Sequence, residues 1–205
     1  YRVRVIASKH DTHFDASLSE LIKNRINQAV SARDAMLLPR KDTDVFRLVN
    51  SEGDRLSGVI IDVIGSTVVV QSSALWVELQ KDAIEAALRD VPQFQSKTIL
   101  WRRALTRLNQ DGLKEFTADP AFSAAAAALG IGSDDTQSDA SGDSHVVTEN
   151  GVKYKLCAAT DQKTGFYCDQ RENRLMVRSM SRGKTVLDAY CYTGGFTLNA
   201  MTGGA

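Results

Sequence analysis

An acidic residue followed by two glycines is the first place where this sequence could do chemistry. Asp188 lies in the apolar run 185–190, and Gly194 and Gly195 precede a helix-like segment, 196–201. Ligands of open parallel α/β sheets lie beyond the carboxyl ends of the strands. Glycine lets a ligand approach the backbone, and a helix N-terminus suits a carboxylate. Because the acidic side chain suits an ammonium group, the pattern fits the amino-acid end of S-adenosylmethionine.

The same residues allow two other interpretations, an ordinary structural corner and a nucleotide-binding site. An ordinary corner between a strand and a helix would also contain an acidic residue and glycines, so this segment alone does not decide. The sequence has no G-x-G-x-x-G after a strand, the pattern that cradles a pyrophosphate. A nucleotide-dependent oxidoreductase is therefore disfavoured.

A second segment, residues 161–174, reads DQKTGFYCDQRENR and lies just upstream of the first. It crowds charged, amide and aromatic side chains around Gly165. A solvated turn leading into a helix capped by Asp169 is the structural alternative. The density of functional side chains favours a role in the same site.

Together the two segments resemble the family of large-subunit ribosomal RNA methyltransferases that modify the 5-carbon of cytosine. The matching motifs are KTGFY over residues 163–167, DQRENR over 169–174, VLD over 186–188 and YTGGF over 192–196. GDRLSGVIID over 53–62 resembles the family's small domain, and the opening strand resembles the end of its PUA domain. The resemblance covers most of the chain and leaves out residues 118–145.

The resemblance implies a binding site for the cofactor S-adenosyl-L-methionine. Asp188 and the two glycines would hold its methionine end. Phe166 would pack on cofactor or substrate, or be a core residue. Arg171 and Arg174 would contact RNA phosphate or a cofactor carboxylate, or form surface ion pairs. The implied cofactor-binding residues are Phe166, Asp169, Gln170, Arg171, Arg174, Asp188, Tyr192, Thr193, Gly194, Gly195 and Phe196.

Large-subunit ribosomal RNA is the implied partner, and Arg102, Arg103 and Lys163 are the candidate RNA-binding residues. Arg107 belongs to the same basic patch, for which a solvated edge of an element is the alternative. The net charge gives no sign of nucleic-acid binding, because Lys+Arg and Asp+Glu are both 25. No apolar run reaches the ~18 residues of a membrane span. The expected compartment is the cytoplasm, or the stroma or matrix of a eukaryotic organelle, and a homodimer is left open.

No catalytic residue is assigned. Methyl transfer to the 5-carbon of cytosine needs a nucleophile, typically a thiolate, that attacks the ring first. Cys157, Cys168 and Cys191 are the cysteines, and none lies at the position that the family uses, so small buried thiols are expected. Their odd number and the lack of C-x-x-C spacing disfavour a disulfide framework and a zinc site, and no metal is expected.

The sequence also departs from the family pattern. The acidic residue for the cofactor ribose and the later Asn-Pro-Pro-type turn are absent, and 17 residues follow Asp188, too few for another crossover and strand. We therefore expect a fragment whose catalytic domain is incomplete and whose C-terminus has little support. The alternative is a catalytically incomplete RNA-binding or ribosome-assembly protein derived from that family.

The expected fold combines α/β and α+β parts. It is a small ββαββ-type domain followed by the beginning of a Rossmann-like class I methyltransferase domain. Ser17 and Glu20 form an S-x-x-E capping box that begins a helix. Gly65-Ser66 and Asn150-Gly151 predict the turns of two hairpins. The other predicted elements are strands over residues 1–7, 45–49, 97–101 and 185–190 and helices over 75–90 and 170–181.

Four segments divide the chain on this interpretation. Residues 1–8 end a PUA-like domain. Residues 9–117 form the small α+β domain, a candidate for binding the RNA substrate. Residues 146–205 begin the S-adenosylmethionine-binding domain, which is incomplete. Residues 118–145 are expected to be a disordered low-complexity insertion, since after an alanine run they hold mainly Gly, Ser and Asp. The alanine run can form a short helical end before it.

Overall fold

The computed structural model describes residues 4–11, 15–128, 130–131, 144–159, 161 and 163–205. Among these, no helix is long and apolar enough to cross a membrane. The strands are β1 (Val45–Asn50), β2 (Val59–Ile64), β3 (Thr67–Ser72), β4 (Thr98–Arg103), β5 (His145–Glu149) and β6 (Val152–Leu156). The helices are α1 (Leu18–Ala35), α2 (Leu75–Leu79), α3 (Lys81–Arg89), α4 (Leu105–Gln110), α5 (Leu113–Ala118), α6 (Pro120–Ala128), α7 (Arg171–Met180) and α8 (Gly195–Thr202). The protein is thus mixed α/β, as predicted.

Four strands form one sheet in the order β1-β2-β3-β4. The first two pairs are antiparallel, and β3 and β4 are parallel. The turn between β2 and β3 is Gly65-Ser66, with a φ of +55° at Gly65, which confirms the predicted hairpin. Most residues of β2 and β3 are buried, so both faces of this sheet must be covered.

Helices α1 and α3 cover one face of the sheet. Helix α1 begins with the predicted capping box: the Ser17 hydroxyl oxygen accepts from the N–H of Glu20, and the Glu20 carboxylate accepts from the N–H of Ser17. Ile26 of α1 and Leu88 of α3 are fully buried in the core that this packing forms. The capping box therefore fixes where the covering helix starts.

The β5–β6 hairpin covers the other face of the sheet. Its turn is Asn150-Gly151, as predicted, and both residues have positive φ, 50° and 79°, as a type I′ turn requires. Val147 is fully buried and belongs to the same core as Ile64 and Leu100 of the sheet. The segments that the sequence assigned to two domains therefore share a hydrophobic core.

The start of the predicted disordered insertion is ordered, and its alanine run forms the helical end that the sequence allowed. Residues 120–128 form α6, and Ala126 and Ile131 are buried with Leu108 in a small third core. Alanine has the highest helix propensity and loses no side-chain entropy, so a run of alanines can form a helix with little packing. Residues 132–143 of the predicted insertion lie outside the described residues.

Two predicted strands and one predicted helix also need correction. Residues 185–190 have no strand geometry, and the side chain of Leu187 is 91% exposed. A strand needs a neighbour for its backbone hydrogen bonds, and no strand in the described ranges pairs with this segment. Residues 4–7 of the opening strand are irregular, and 1–3 lie outside the description. The helix predicted over 75–90 is divided into α2 and α3.

Adjacent valines on β5 test the shared core. Val147 is fully buried, whereas Val146 is 64% exposed. We expect Val147→Ala to lower the free energy of unfolding by about 2 kcal/mol, because it removes buried methyl groups and leaves a cavity. Val146→Ala should change it by less than about 0.5 kcal/mol. Urea denaturation measures both, and equal losses from the two variants would contradict the packing described here.

Candidate functional site

The turn between β6 and α7 carries the KTGFY motif, residues 163–167, and is called the motif turn below. One glycine allows its shape. Gly165 has a φ of +106°, and a Cβ built on it would lie 2.8 Å from the Cα of Ala158. Only glycine fits both constraints. The close approach places Phe166 and Cys168 in the core beneath the hairpin.

A buried carboxylate on the sheet holds this turn in place. The side chain of Asp62 on β2 is fully buried. Arg47 of β1 donates two hydrogen bonds to it, at 2.9 and 3.1 Å, and the hydroxyl of Thr164 donates another. Burial raises the pKa of Asp62, while the bonds from Arg47 and Thr164 act in the opposite direction. The motif turn is therefore tied directly to the four-stranded sheet.

A second buried ion pair ties α7 to the hairpin. The guanidinium of Arg174 donates to both carboxylate oxygens of Glu149, each at 2.7 Å, and to the carbonyl oxygen of Tyr167 at 2.9 Å. Its central carbon lies 4.6 Å from the ring centre of Phe166. Both members of the pair are buried. The ion pair that the sequence interpretation offered for Arg174 is buried rather than on the surface, and a ligand contact by Arg174 stays a prediction.

Beside this pair, the predicted site residues surround a pocket of about 340 Å³. The predicted cofactor residues that line it are Phe166, Gln170, Arg174, Asp188, Tyr192, Thr193, Gly195 and Phe196. The lining residues that the cofactor prediction missed are Lys163, Tyr167, Tyr190 and Cys191. All four lie within the two quoted segments or directly between them. The pocket therefore brings together motifs that lie some 20 residues apart in the sequence.

Asp188 meets the start of α8 at one edge of the pocket. One of its carboxylate oxygens accepts from both the N–H and the hydroxyl of Thr197, at 3.1 and 2.8 Å. Gly194 precedes the helix in the left-handed conformation, with a φ of 73°. For the N–H groups of Gly195 and Phe196, the described residues provide no hydrogen-bond acceptor. A negative group of a ligand would find two donors there.

The backbone of the intervening loop is strained where it borders the pocket. Tyr190 and Tyr192 have φ values of 62° and 49°, a region that residues with bulky side chains rarely adopt. The ring of Tyr192 packs edge-on against that of Tyr167, with 5.6 Å between the centroids. Such strain is typical of functional sites, where the surrounding structure holds an unfavourable conformation in place.

Not every predicted cofactor residue lines this pocket. Asp169 and Arg171 line a separate cavity of about 420 Å³ beside α1. Lys163 pairs with Asp169 at 3.1 Å and lies 4.0 Å from the ring centre of Tyr167. Burial opposes the ionisation of Asp169, yet the hydrogen bond and charge of Lys163 leave its pKa below the ordinary value. Gly194 shapes the helix start without lining the pocket.

Two arginines of the basic patch predicted around β4, Arg102 and Arg103, bond to other groups of the protein. Arg102 donates to the carbonyl oxygens of Ala158 and Asp161, at 3.1 and 2.9 Å, and so holds the motif turn. Arg103 donates to the buried carboxylate of Glu78 at 2.8 Å. The structure thus gives both arginines packing roles in place of an open patch, and RNA contact by either one stays a prediction.

The sequence predicts that all three cysteines are buried, but their exposure differs in the structure. Cys168 is buried, and burial, with the nearby charge of Asp62, raises the pKa of its thiol well above the ordinary value. Cys157 is half-buried, and Cys191 is exposed in the pocket rather than buried. Among the described residues, no group of three or more His, Cys, Asp or Glu side chains is placed to hold a metal ion.

A pocket between an acidic residue and a helix that starts at a glycine, beside a mixed α/β core, is typical of domains that bind a small molecule. Residues 101–205 match the family of S-adenosylmethionine-dependent methyltransferases. This match covers half of the chain and includes every residue of the pocket. The chain belongs to that family.

Curated relatives within this class are similar to most or all of the chain. A ribosomal RNA large subunit methyltransferase I of Aeromonas hydrophila is 34% identical over 182 residues, which are 88% of this chain and 41% of that protein. A ribosomal RNA large subunit methyltransferase of Deinococcus radiodurans is 31% identical over 185 residues. One of Tolumonas auensis is 30% identical over 205 residues, all of this chain and 46% of that protein. The chain spans less than half the length of these relatives.

Solved structures share the fold. A crystal structure described as that of a methyltransferase complexed with SAH has a TM-score of 0.66 and 22% identity, covering 93% of this chain and 43% of that one. A SAM-dependent methyltransferase from Streptococcus mutans also has a TM-score of 0.66, with 24% identity and coverage of 93% and 44%. At this level of sequence identity, the likeness shows a shared fold.

Variants at Thr164 test whether the buried carboxylate holds the motif turn. Thr164→Val keeps the shape but removes a donor to Asp62, so the free energy of unfolding should fall by about 2–3 kcal/mol. Thr164→Ser keeps the hydroxyl and removes one methyl group, which should cost about 1 kcal/mol. Urea denaturation distinguishes them. A serine variant less stable than the valine variant would show that packing, rather than the bond to Asp62, holds this turn.

Proposed function

We propose that this protein binds S-adenosyl-L-methionine in the pocket around Asp188 and takes part in methylation of large-subunit ribosomal RNA, at the 5-carbon of a cytosine. The observation that carries the proposal is the pairing of a carboxylate with the open start of α8 in one pocket. Membership of the methyltransferase family supports the cofactor. The names of the curated relatives support ribosomal RNA as the substrate.

The pocket fits the amino-acid end of the cofactor. The oxygen of Asp188 that does not contact Thr197 has no hydrogen-bond partner within the described ranges, so it can accept from an ammonium group. The N–H groups of Gly195 and Phe196 can donate to a carboxylate. A free amino acid end presents both charges a few ångströms apart, which matches one acceptor beside two donors.

The rest of the pocket suits the nucleoside and sulfur parts. Aromatic rings of Phe166, Tyr167, Tyr190, Tyr192 and Phe196 line it. Aromatic faces stack on a base and exclude water from apolar groups. When bound, the cofactor supplies an electrophilic methyl group. The residues of this chain would bind and orient that group. The guanidinium of Arg174 lies against the ring of Phe166 and helps to fix its position.

The assignment of the 5-carbon of cytosine rests on the resemblance of the KTGFY, DQRENR and YTGGF segments to that family. Attack on this carbon needs a thiolate or another nucleophile. Cys168 is buried and its raised pKa keeps it protonated, so it is unsuited to that role. Cys191 lies in the proposed cofactor loop. We therefore assign the binding residues and name no nucleophile.

Variants at Asp188 test the proposed orientation of the cofactor. Asp188→Asn keeps an acceptor for Thr197 but removes the negative charge. We expect it to weaken binding of S-adenosylhomocysteine about tenfold or more, because a charge-assisted hydrogen bond to the ammonium group is lost. Binding of 5′-methylthioadenosine, which lacks the amino-acid end, should change less than about twofold. Isothermal titration calorimetry measures the affinities of the wild-type chain and of Asp188→Asn for both ligands.

Asp188→Ala is the matched control for structure. It removes the acceptor for Thr197 at the start of α8 as well as the charge, so it should lower the unfolding temperature, while Asp188→Asn should leave it nearly unchanged. Equal weakening of both ligands by Asp188→Asn would contradict the proposed orientation. Tight cofactor binding without methyl transfer to large-subunit ribosomal RNA by the natural protein would favour the alternative, an RNA-binding or ribosome-assembly role.

A further inference from the structure

A second cavity, of about 240 Å³, lies on the sheet next to the proposed cofactor pocket. Its polar lining comes from separate elements: Arg47 from β1, Gln71 from β3, Ser73 just after β3, Arg107 from α4 and Lys163 from the motif turn. Three of these five side chains are cations. None of the residues that line the cavity is acidic.

The charges in this cavity are unequally compensated. Arg47 is paired with the buried Asp62, and Lys163 with Asp169. For the guanidinium of Arg107, which is exposed, the described part of the chain offers no hydrogen bond or ion pair. Two cations held by partners and one without any leave a net positive cavity. An anion is therefore the ligand that this lining favours.

Neutral hydrogen-bonding groups lie beside the cations. The Ser73 hydroxyl donates to the carbonyl oxygen of Gly58 at 3.0 Å and keeps its oxygen available as an acceptor. Gln71 adds an amide that can donate and accept. Phosphate needs cationic donors, and a ribose hydroxyl needs groups that donate or accept. The lining offers both kinds.

Lys163 connects this cavity to the cofactor pocket, because its side chain lines both. The motif turn that carries it is fixed to the sheet through Thr164 and Asp62. A ligand in the basic cavity would therefore lie next to a ligand in the cofactor pocket. For a nucleic acid, this is the place of a backbone unit adjacent to the nucleotide that reacts.

We propose that the cavity lined by Arg107, Lys163, Arg47, Gln71 and Ser73 binds a phosphate–ribose unit of the RNA strand, next to the nucleotide that faces the cofactor pocket. This inference rests on the proposed function and names the RNA-facing side of the same site. An acidic peptide fits less well. Its carboxylates would use the cations, but it lacks the phosphate that joins consecutive units of an RNA strand, and the competition experiment below separates the two ligands.

Salt-dependent RNA binding tests the role of Arg107. The wild-type chain, Arg107→Gln and the control Lys155→Gln are titrated with a fluorescent single-stranded RNA oligonucleotide of mixed sequence at several salt concentrations. Lys155 lies on the exposed side of β6, so the control also removes one surface cation. We expect Arg107→Gln to bind about tenfold more weakly and to lower the slope of log K against log salt by about 0.7, the value for one phosphate contact with a single strand. The control should match the wild type.

Other outcomes overturn the inference. Arg107→Gln binding within about twofold of wild type, or an equal loss in Lys155→Gln, would show that the cavity makes no specific phosphate contact. Equal competition by a poly-glutamate peptide of the same charge would point to a general anion site. Binding of S-adenosylhomocysteine to the wild-type chain, measured in the same samples, tests the proposed function separately. Cofactor binding with an unaltered Arg107→Gln salt slope rejects the phosphate site alone.

Discussion

Asp62 sets the constraint on which the rest of the structure depends. Its carboxylate is fully buried in the middle of the sheet, where an unpaired charge would be costly. Arg47 on the neighbouring strand and Thr164 on the motif turn satisfy it. Because these partners come from both halves of the chain, the sheet and the motif turn must fold against each other. The location of the proposed cofactor pocket relative to the sheet follows from this contact.

The pair between Arg174 and Glu149 plays a related role on the other side of the turn. A buried ion pair adds little net stability compared with apolar packing, but breaking it leaves an uncompensated charge and costs about 3–5 kcal/mol. Its value here is geometric. The guanidinium fixes the carbonyl of Tyr167 and lies against the ring of Phe166. Two buried ion pairs thus hold the turn that carries Phe166 and Tyr167, two of the aromatic residues that line the pocket.

Local signals in the sequence predicted the parts of the fold that depend on local contacts. The capping box of Ser17 and Glu20 and the turns at Gly65-Ser66 and Asn150-Gly151 are satisfied by neighbouring residues, so the sequence alone reveals them. The pairs formed by Asp62 and Arg174 join residues far apart in the chain, 102 residues in the case of Asp62 and Thr164. Nothing in the local pattern identifies such partners. The strand over residues 185–190 was mispredicted for the same reason, since an apolar run forms a strand only beside a partner strand.

The proposed site places the amino-acid end of the cofactor at the start of α8. Titration of the ¹⁵N-labelled chain with S-adenosylhomocysteine, followed by amide NMR, measures this placement. We expect the largest shifts on the amides of Gly195 and Phe196, which would gain a carboxylate acceptor. Largest shifts around Asp169 and Arg171, in the cavity beside α1, would contradict it.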